Sequence, residues 1–189
     1  MMGMGRLLET PELLGYITAT MGKQGDLAGR TVVVSAGGTM EAIDPVRVIT
    51  NHSSGKMGYA LAEAARDRGA NVVLITAASG LAEPAMVNVV PVGSAQEMCD
   101  AVLEHVKSAD ALIMAAAVAD YRPSSQSEEK IKKSEGDLSI ALTKTTDILQ
   151  AARGSFVRVG FSAESQNLVK NAKSFKKELH QRRINFRSK

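Results

Sequence analysis

Apolar positions along this chain come in short blocks that alternate between two periods. Residues 31–35, 71–76, 87–92 and 111–118 are runs rich in Val, Ile, Leu and Ala, bounded by glycine, proline or polar clusters. Such runs are typical of strands buried on both faces. Between them, residues 54–68 and 94–107 repeat small and apolar side chains three and four positions apart, the spacing of a helix packed on one face. Local signals mark the helix ends. Pro11 sits in the first turn of a helix from Thr10 to Met21, Ser94-Ala-Gln-Glu97 reads as a capping box, and Gly69 follows the 54–68 pattern. Residues 22–29 read as a linker, and 77–84 as a loop.

The rhythm breaks after Arg122-Pro123. Residues 124–137 are polar, with Ile131 as the one large apolar side chain, and predict an exposed, mobile loop. Beyond it the pattern predicts a strand at 138–143, a short helix at 147–152, a strand at 156–161 and a basic helix at 166–183. Alternating strands and helices imply an α/β domain with a doubly wound, mostly parallel sheet. Ligands of such sheets sit beyond the carboxyl ends of the strands. Here those ends are Gly37-Gly38, Ala119-Asp120 and residues 162–164.

Composition narrows the setting. The 189 residues are 44% hydrophobic and 23% charged, a globular balance. No apolar run approaches the roughly 18 residues that span a bilayer, and the first residues lack a signal-peptide pattern. A single cysteine, Cys99, excludes an internal disulfide and sits in a helical pattern as a small core residue. These features predict a reducing, cytoplasmic location. The net charge of +3 is uneven. Residues 170–189 hold eight Lys or Arg and one acid, Glu178, for +7, which leaves the rest at −4. The basicity therefore belongs to one helix and tail. It is either a solvated face or a contact for an anionic ligand, and it is no argument for nucleic acid or membrane.

Residues 44–58 concentrate the polar groups suited to an anion. Asn51, His52, Ser53 and Ser54 lie between a loop and a helix start, whose N–H groups favour phosphate. The serines can equally cap the helix. Arg47 is either a surface residue or an anion contact. Gly37-Gly38-Thr39 lets a backbone approach a ligand or simply makes a tight turn. It does not match the dinucleotide fingerprint, no Tyr-x-x-x-Lys pair follows, and Gly55-Lys56 precedes Met57 rather than Ser or Thr. His52, His105 and His180 are too scattered for a zinc site, and no metal ligand set is assigned. Asp120 ends an apolar strand, as a turn residue or as a contact to a base or metal. Lys130-Ile-Lys-Lys133 is a solvated charge run or a source of charge for a transferring phosphoryl group.

Taken together, several segments resemble the phosphopantothenate–cysteine ligase domain of the bacterial bifunctional coenzyme A biosynthesis proteins. They are Ser35-Ala-Gly-Gly-Thr-Met-Glu41, residues 44–58 with Asn51-His-Ser-Ser-Gly-Lys-Met-Gly58, Ala116-Ala-Val-Ala-Asp-Tyr-Arg122, Glu129-Lys-Ile-Lys-Lys133 and Gly160-Phe-Ser-Ala-Glu164. They follow the family's order over residues 29–165. The resemblance implies a Rossmann-like domain at 29–189, shortened at its C-terminus relative to the family. Residues 1–28 look like the closing helix and linker of a flavin-dependent decarboxylase half, while no flavin is expected on this chain.

The implied reaction is CTP-dependent ligation with Mg²⁺ on the triphosphate. The carboxylate of 4′-phosphopantothenate attacks the α-phosphate to give an acyl-cytidylate and pyrophosphate. The amine of cysteine then displaces CMP. The resemblance assigns Asn51 to the acyl-cytidylate and Lys130 to CTP. It places Gly37, Gly38, Thr39, Ala116, Ala117, Asp120, Thr146, Asp147, Ile148, Leu149, Phe161 and Arg182 around the nucleotide. Arg47, Asn51, Ser53 and Ser54 are the substrate-side candidates, the serines for the phosphate of phosphopantothenate. A homodimer and a decarboxylase domain or subunit are the implied partners. The chain departs from the family where Thr145-Thr146 replaces Asn-Pro before Asp147-Ile148. The family's paired lysines on the last helix are also only partly matched, by Lys177 or Glu178 and by Arg182. Two other readings of the residues stay open, an NAD(P)-dependent Rossmann-type reductase and a non-catalytic nucleotide-binding remnant.

Overall fold

The computed structural model describes residues 7–133 and 137–161. The expected strand-end site at 162–164, the basic helix at 166–183 and Arg182 lie outside the described residues.

Five strands form the central sheet: β1 (Thr31–Ala36), β4 (Asn71–Thr76), β5 (Asn88–Pro91), β6 (Ala111–Met114) and β9 (Val157–Gly160). Their order is β5-β4-β1-β6-β9, with every pairing parallel. The chain builds outward from β1 through β4 to β5, then returns across β1 to add β6 and β9. This is the doubly wound arrangement that the alternating pattern predicts. The side-chain period of two along β1 divides the core. Val32, Val34 and Ala36 face α2 (Lys56–Asp67), packing with Tyr59, Ala62, Ala65 and Leu74. Val33 faces the other layer, with Ile75, Met98, Val102, Leu112, Ile148 and Phe156 from α3 (Ala95–His105), α4 (Ile148–Ala151) and their strands. Cys99 is buried in this second layer, and burial, with Asp100 adding to it, raises its thiol pKa. It is a core residue, as its helical position suggests.

The capping box at Ser94 and Glu97 is present and starts α3. Buried Glu41 reinforces it by accepting from the Ala95 N–H at 2.8 Å, a negative charge at the positive end of the helix. Helix α1 (Thr10–Met21) starts at its proline and lies on α2. There the Thr18 hydroxyl and the Arg66 guanidinium both donate to Asp67, and Arg66 also donates to the Ala85 carbonyl.

Two short antiparallel hairpins depart from the predicted elements. Strands β2 (Met40–Ala42) and β3 (Val48–Thr50) pair within what reads as one polar loop. Strand β7 (Tyr121–Pro123) pairs with β8 (Leu142–Lys144) across the excursion between them. The expected strand at 138–143 is thus later and shorter, because its partner is the Tyr121–Pro123 segment rather than the main sheet. The expected run at 111–118 ends as a strand at Met114, beyond which side-chain hydroxyls take over the ladder.

Candidate functional site

β1 and β6 are neighbours whose connections leave in opposite directions, so their carboxyl ends define the sheet's switch point. The segments beyond them are laced together. Ala117 N–H donates to the Gly37 carbonyl at 2.8 Å, and Thr39 N–H donates to the Ala117 carbonyl at 3.3 Å. Ser35 Oγ accepts from Ala116 N–H at 3.1 Å, and Thr39 Oγ1 accepts from Ala119 N–H at 2.9 Å. Ser35 and Thr39 are fully buried. Their hydroxyls continue the hydrogen-bond ladder where the backbones separate, which fixes residues 116–119 against β1.

The Thr39 hydroxyl, by accepting from Ala119 N–H, shapes the strand end. Gly37 and Gly38 are also buried. Gly37 has φ +83, and a Cβ there would stand 2.3 Å from the Ala78 nitrogen, so no larger residue fits between the ends of β1 and β4. Asn51 crosses above. Its Nδ2 donates to the carbonyls of Val118 at 3.2 Å and Ala117 at 3.4 Å, while the side chain remains exposed.

Helix α2 begins after Asn51, but not on a serine. Gly55 occupies the cap position with φ 75, and no side chain caps the first turn. Ser53 Oγ instead accepts from Gly55 N–H at 3.4 Å. The left-handed turn at Gly55 delays the helix past the predicted start at Ser54. Ser53 and Ser54 are exposed beside this uncapped helix start.

A cleft of about 510 Å³ opens at the carboxyl ends of β6 and β9. It is lined by Ala116, Asp120, Thr146, Asp147, Ile148, Leu149 and Phe161, seven of the positions expected around a nucleotide. Three separate segments supply them. Thr145 joins two of the segments, its N–H donating to the Asp120 carbonyl and its hydroxyl to the Ala119 carbonyl at 2.6 Å. Asp147 caps α4 by accepting from Gln150 N–H at 3.0 Å. Lys144 and Tyr121, paired across β7 and β8, also line the cleft, and neither was singled out from sequence. The signal for them is the long-range pairing itself, which local periodicity does not carry. Among the described lining residues Lys144 is the one cation. Gly37, Gly38, Thr39, Ala117, Asn51, Arg47, Ser53, Ser54 and Lys130 are not in the lining. Asn51 and Ala117 nevertheless adjoin it through the shared 116–119 segment.

Arg47, one of the substrate-side candidates, is held by protein partners. Its Nε and Nη2 donate to Asp44 Oδ2 at 2.9 and 2.6 Å, and Nη2 also donates to the Ile131 carbonyl at 2.5 Å. Asp44 is buried and accepts further from the N–H groups of Val46, Arg47 and Ile131, at 2.8, 2.8 and 3.1 Å. Burial alone raises the pKa of a carboxyl. Here donation from Val46, Ile131 and Arg47 outweighs it and holds Asp44 well below the usual carboxylate range. Lys130 is exposed, one residue before this junction. The stretch expected to be a free loop is therefore fastened through Ile131.

Fold and site together define a Rossmann-like α/β protein with a polar cleft at the carboxyl edge of its sheet. The chain belongs to the DNA/pantothenate metabolism flavoprotein C-terminal domain family, which residues 27–185 match. It is 47% identical over 177 residues to the coenzyme A biosynthesis bifunctional protein CoaBC of Haemophilus influenzae, covering 91% of this chain and 44% of that protein. It is likewise 47% identical over 178 residues to CoaBC of Mycobacterium bovis, covering 86% and 43%. The chain thus spans less than half the length of these curated relatives. A crystal structure of the C-terminal domain of a CoaBC protein superposes with a TM-score of 0.71 at 40% identity, covering 80% of this chain and 74% of that one.

Proposed function

We propose that this chain carries the CTP-dependent ligation of 4′-phosphopantothenate to cysteine in coenzyme A biosynthesis, releasing CMP and pyrophosphate. One observation carries the reading beyond family membership. Seven of the positions expected to surround CTP, Ala116, Asp120, Thr146, Asp147, Ile148, Leu149 and Phe161, line a single cleft. A carboxylate is a poor electrophile, and transfer to the α-phosphate supplies a leaving group. The oxygen–phosphorus bond forms as the bond to pyrophosphate breaks. In the second step the cysteine nitrogen bonds to the activated carbonyl, CMP departs with the bonding pair, and the nitrogen loses a proton.

The chain's own work is to assemble two anions and balance their charge. Asp120 can accept from the cytosine amino group. Lys130 supplies positive charge to the triphosphate as pyrophosphate leaves. Asn51 offers a neutral amide to the acyl-cytidylate, where a carboxylate would repel it. The uncapped start of α2, with Ser53 and Ser54, takes the phosphate of phosphopantothenate. Among the described residues no three His, Cys, Asp or Glu side chains gather to hold a metal. In this reading Mg²⁺ enters with the triphosphate as part of the substrate, keeping several waters. The working unit is a homodimer, joined in longer relatives to a decarboxylase half. Among the described residues no helix is long and apolar enough to cross a membrane.

The test is a reaction containing phosphopantothenate, CTP, Mg²⁺ and cysteine, scored for CMP, pyrophosphate and the amide product. The reading requires all three to form, with pyrophosphate independent of cysteine in a single turnover. Thermal protection by NADPH and none by CTP would refute it in favour of a reductase.

A further inference from the structure

The backbone on either side of Lys130 is held in an unusual way. Ile131, the next residue, has both its peptide groups engaged by one ion pair. Its N–H donates to Asp44 Oδ2 at 3.1 Å, and its carbonyl accepts from Arg47 Nη2. Asp44 and Arg47 are 84 or more residues distant in sequence and belong to the turn between β2 and β3. The same turn makes a further tie, since Ser127 N–H donates to the Ile43 carbonyl at 3.0 Å. Ser127 Oγ then donates to the Glu129 carbonyl at 2.6 Å, which tightens the stretch between the two ties. In effect two side chains replace a strand partner for a segment that has no regular ladder of its own.

Asp44 is the centre of this junction. It is 1% exposed, and its two oxygens receive the Val46, Arg47 and Ile131 N–H groups as well as the guanidinium. A buried carboxylate is tolerated only when its lone pairs are filled, so loss of any donor is felt by the others. Arg47, by contrast, is 41% exposed at its side chain and reaches the loop from outside.

We propose that Asp44 is a positioning residue for the transfer step: it clasps Ile131 to the β2–β3 turn and so sets the point from which Lys130 reaches the nucleotide phosphates. The inference rests on the ligase reading for its kinetic consequence, though not for the clasp itself. A lysine side chain has four rotatable bonds, so it delivers charge to one place only if its own backbone is fixed. Misplacement of a charged group by about 1 Å can slow a reaction by about a hundredfold.

Two variants test the clasp from opposite sides. Asp44→Asn keeps an oxygen for the turn but removes the charge and offers an amide donor to the Ile131 N–H. Ile131→Pro deletes that N–H and keeps the Asp44 carboxylate with its Val46 and Arg47 donors. In the full chain, both should slow pyrophosphate release by about tenfold to a hundredfold, with CTP affinity and the KM for cysteine within about threefold. Asp44→Asn should also speed hydrogen exchange at the Ile131 amide by at least about tenfold, as for a group moved into a locally open segment. A purely structural role would instead reduce CTP affinity and turnover together, which overturns the proposal. So would an unchanged Ile131 exchange rate in Asp44→Asn. If Asp44→Asn fails to fold, Ile131→Pro decides through the rate of pyrophosphate release. If the unsubstituted chain gives no CTP-dependent turnover, the ligase reading fails on its own, and Lys130 loses the role that this proposal supports.

Discussion

At the scale of single residues, the segment from 44 to 58 illustrates what residue type conveys and what it leaves open. Asn51, Arg47 and the serines stand out in sequence as a polar cluster, but their partners depend on distant chain. Arg47 binds Asp44 and Ile131, Thr39 supports Ala119, and Asn51 combines a defined contact with an exposed amide. That geometry makes Asn51→Asp informative. The Val118 and Ala117 carbonyls that now accept from Nδ2 would face a carboxylate, and a nucleotide anhydride beside it would meet a second repulsion. Product formation is expected to fall by at least about a hundredfold while CTP affinity changes little, since the charge conflict is greatest at the intermediate. Equal losses in binding and turnover, measured separately, would remove Asn51 from the chemistry. Lys130→Gln keeps length and loses charge, so pyrophosphate release should slow by about a hundredfold. Lys133→Gln, three residues on and equally exposed, serves as the control. Matching small effects would make the run an ordinary solvated one.

At the scale of elements, periodicity revealed most of the main sheet and its helices. Strands 31–35, 71–76 and 156–161, the helix with the capping box and the short helix at 147–152 all appear near their expected places; for the first two strands the reason is a nearly continuous buried apolar run. The hairpins were not legible. Three-residue strands give no period, and Tyr121–Pro123 finds Leu142–Lys144 only after the main sheet brings them together. The cleft was legible in its lining from 116–120 and 146–149, and Lys144 was not, since it reaches the site by that pairing. The start of α2 was misplaced because Gly55 adopts a left-handed conformation that local propensity does not announce. How α2 meets the sheet yields an element-scale prediction. A Cβ on Gly58 would lie 2.5 Å from Ala36 Cβ and 2.8 Å from the Ser35 carbonyl oxygen. Gly58→Val therefore pushes α2 away from β1 and disturbs Ser35, which supports Ala116. Overpacking of this kind costs about 1–3 kcal/mol. Denaturant unfolding should show that loss, and CTP affinity should fall with it; a variant as stable as the parent would mean that α2 moves freely on the sheet.

At the scale of the whole molecule, ion pairs that look local join distant parts of the chain. Asp110, at the start of β6, accepts from Thr31 N–H and from Arg30, which pins the amino ends of β1 and β6. Asp26 joins Arg68, fastening the linker after α1 to the end of α2. Asp44 ties the β2–β3 turn to residue 131. All three carboxyls lie below their ordinary pKa, for reasons that differ. The Arg68 side chain leads for Asp26, and the Thr31 N–H for Asp110. For Asp44 burial acts in the opposite sense and is overcome by its donors. The sign of the pH effect follows. Because each group binds its proton more weakly when folded, the unfolded chain takes up protons first as pH falls. The stabilisation is complete above the ordinary carboxylate range near 4, and it is lost as pH drops through the folded values. Melting temperature should therefore change little between about pH 7 and 5 and fall steeply below about pH 4. Asp44→Asn should lower the plateau and make the acid fall shallower, since the group with the largest shift no longer titrates. Asp26→Asn, at an exposed pair, should alter the curve least. Thermal melts across the acid range decide it: an Asp44→Asn curve that runs parallel to the parent would show that the buried carboxylate is not what acid disarms.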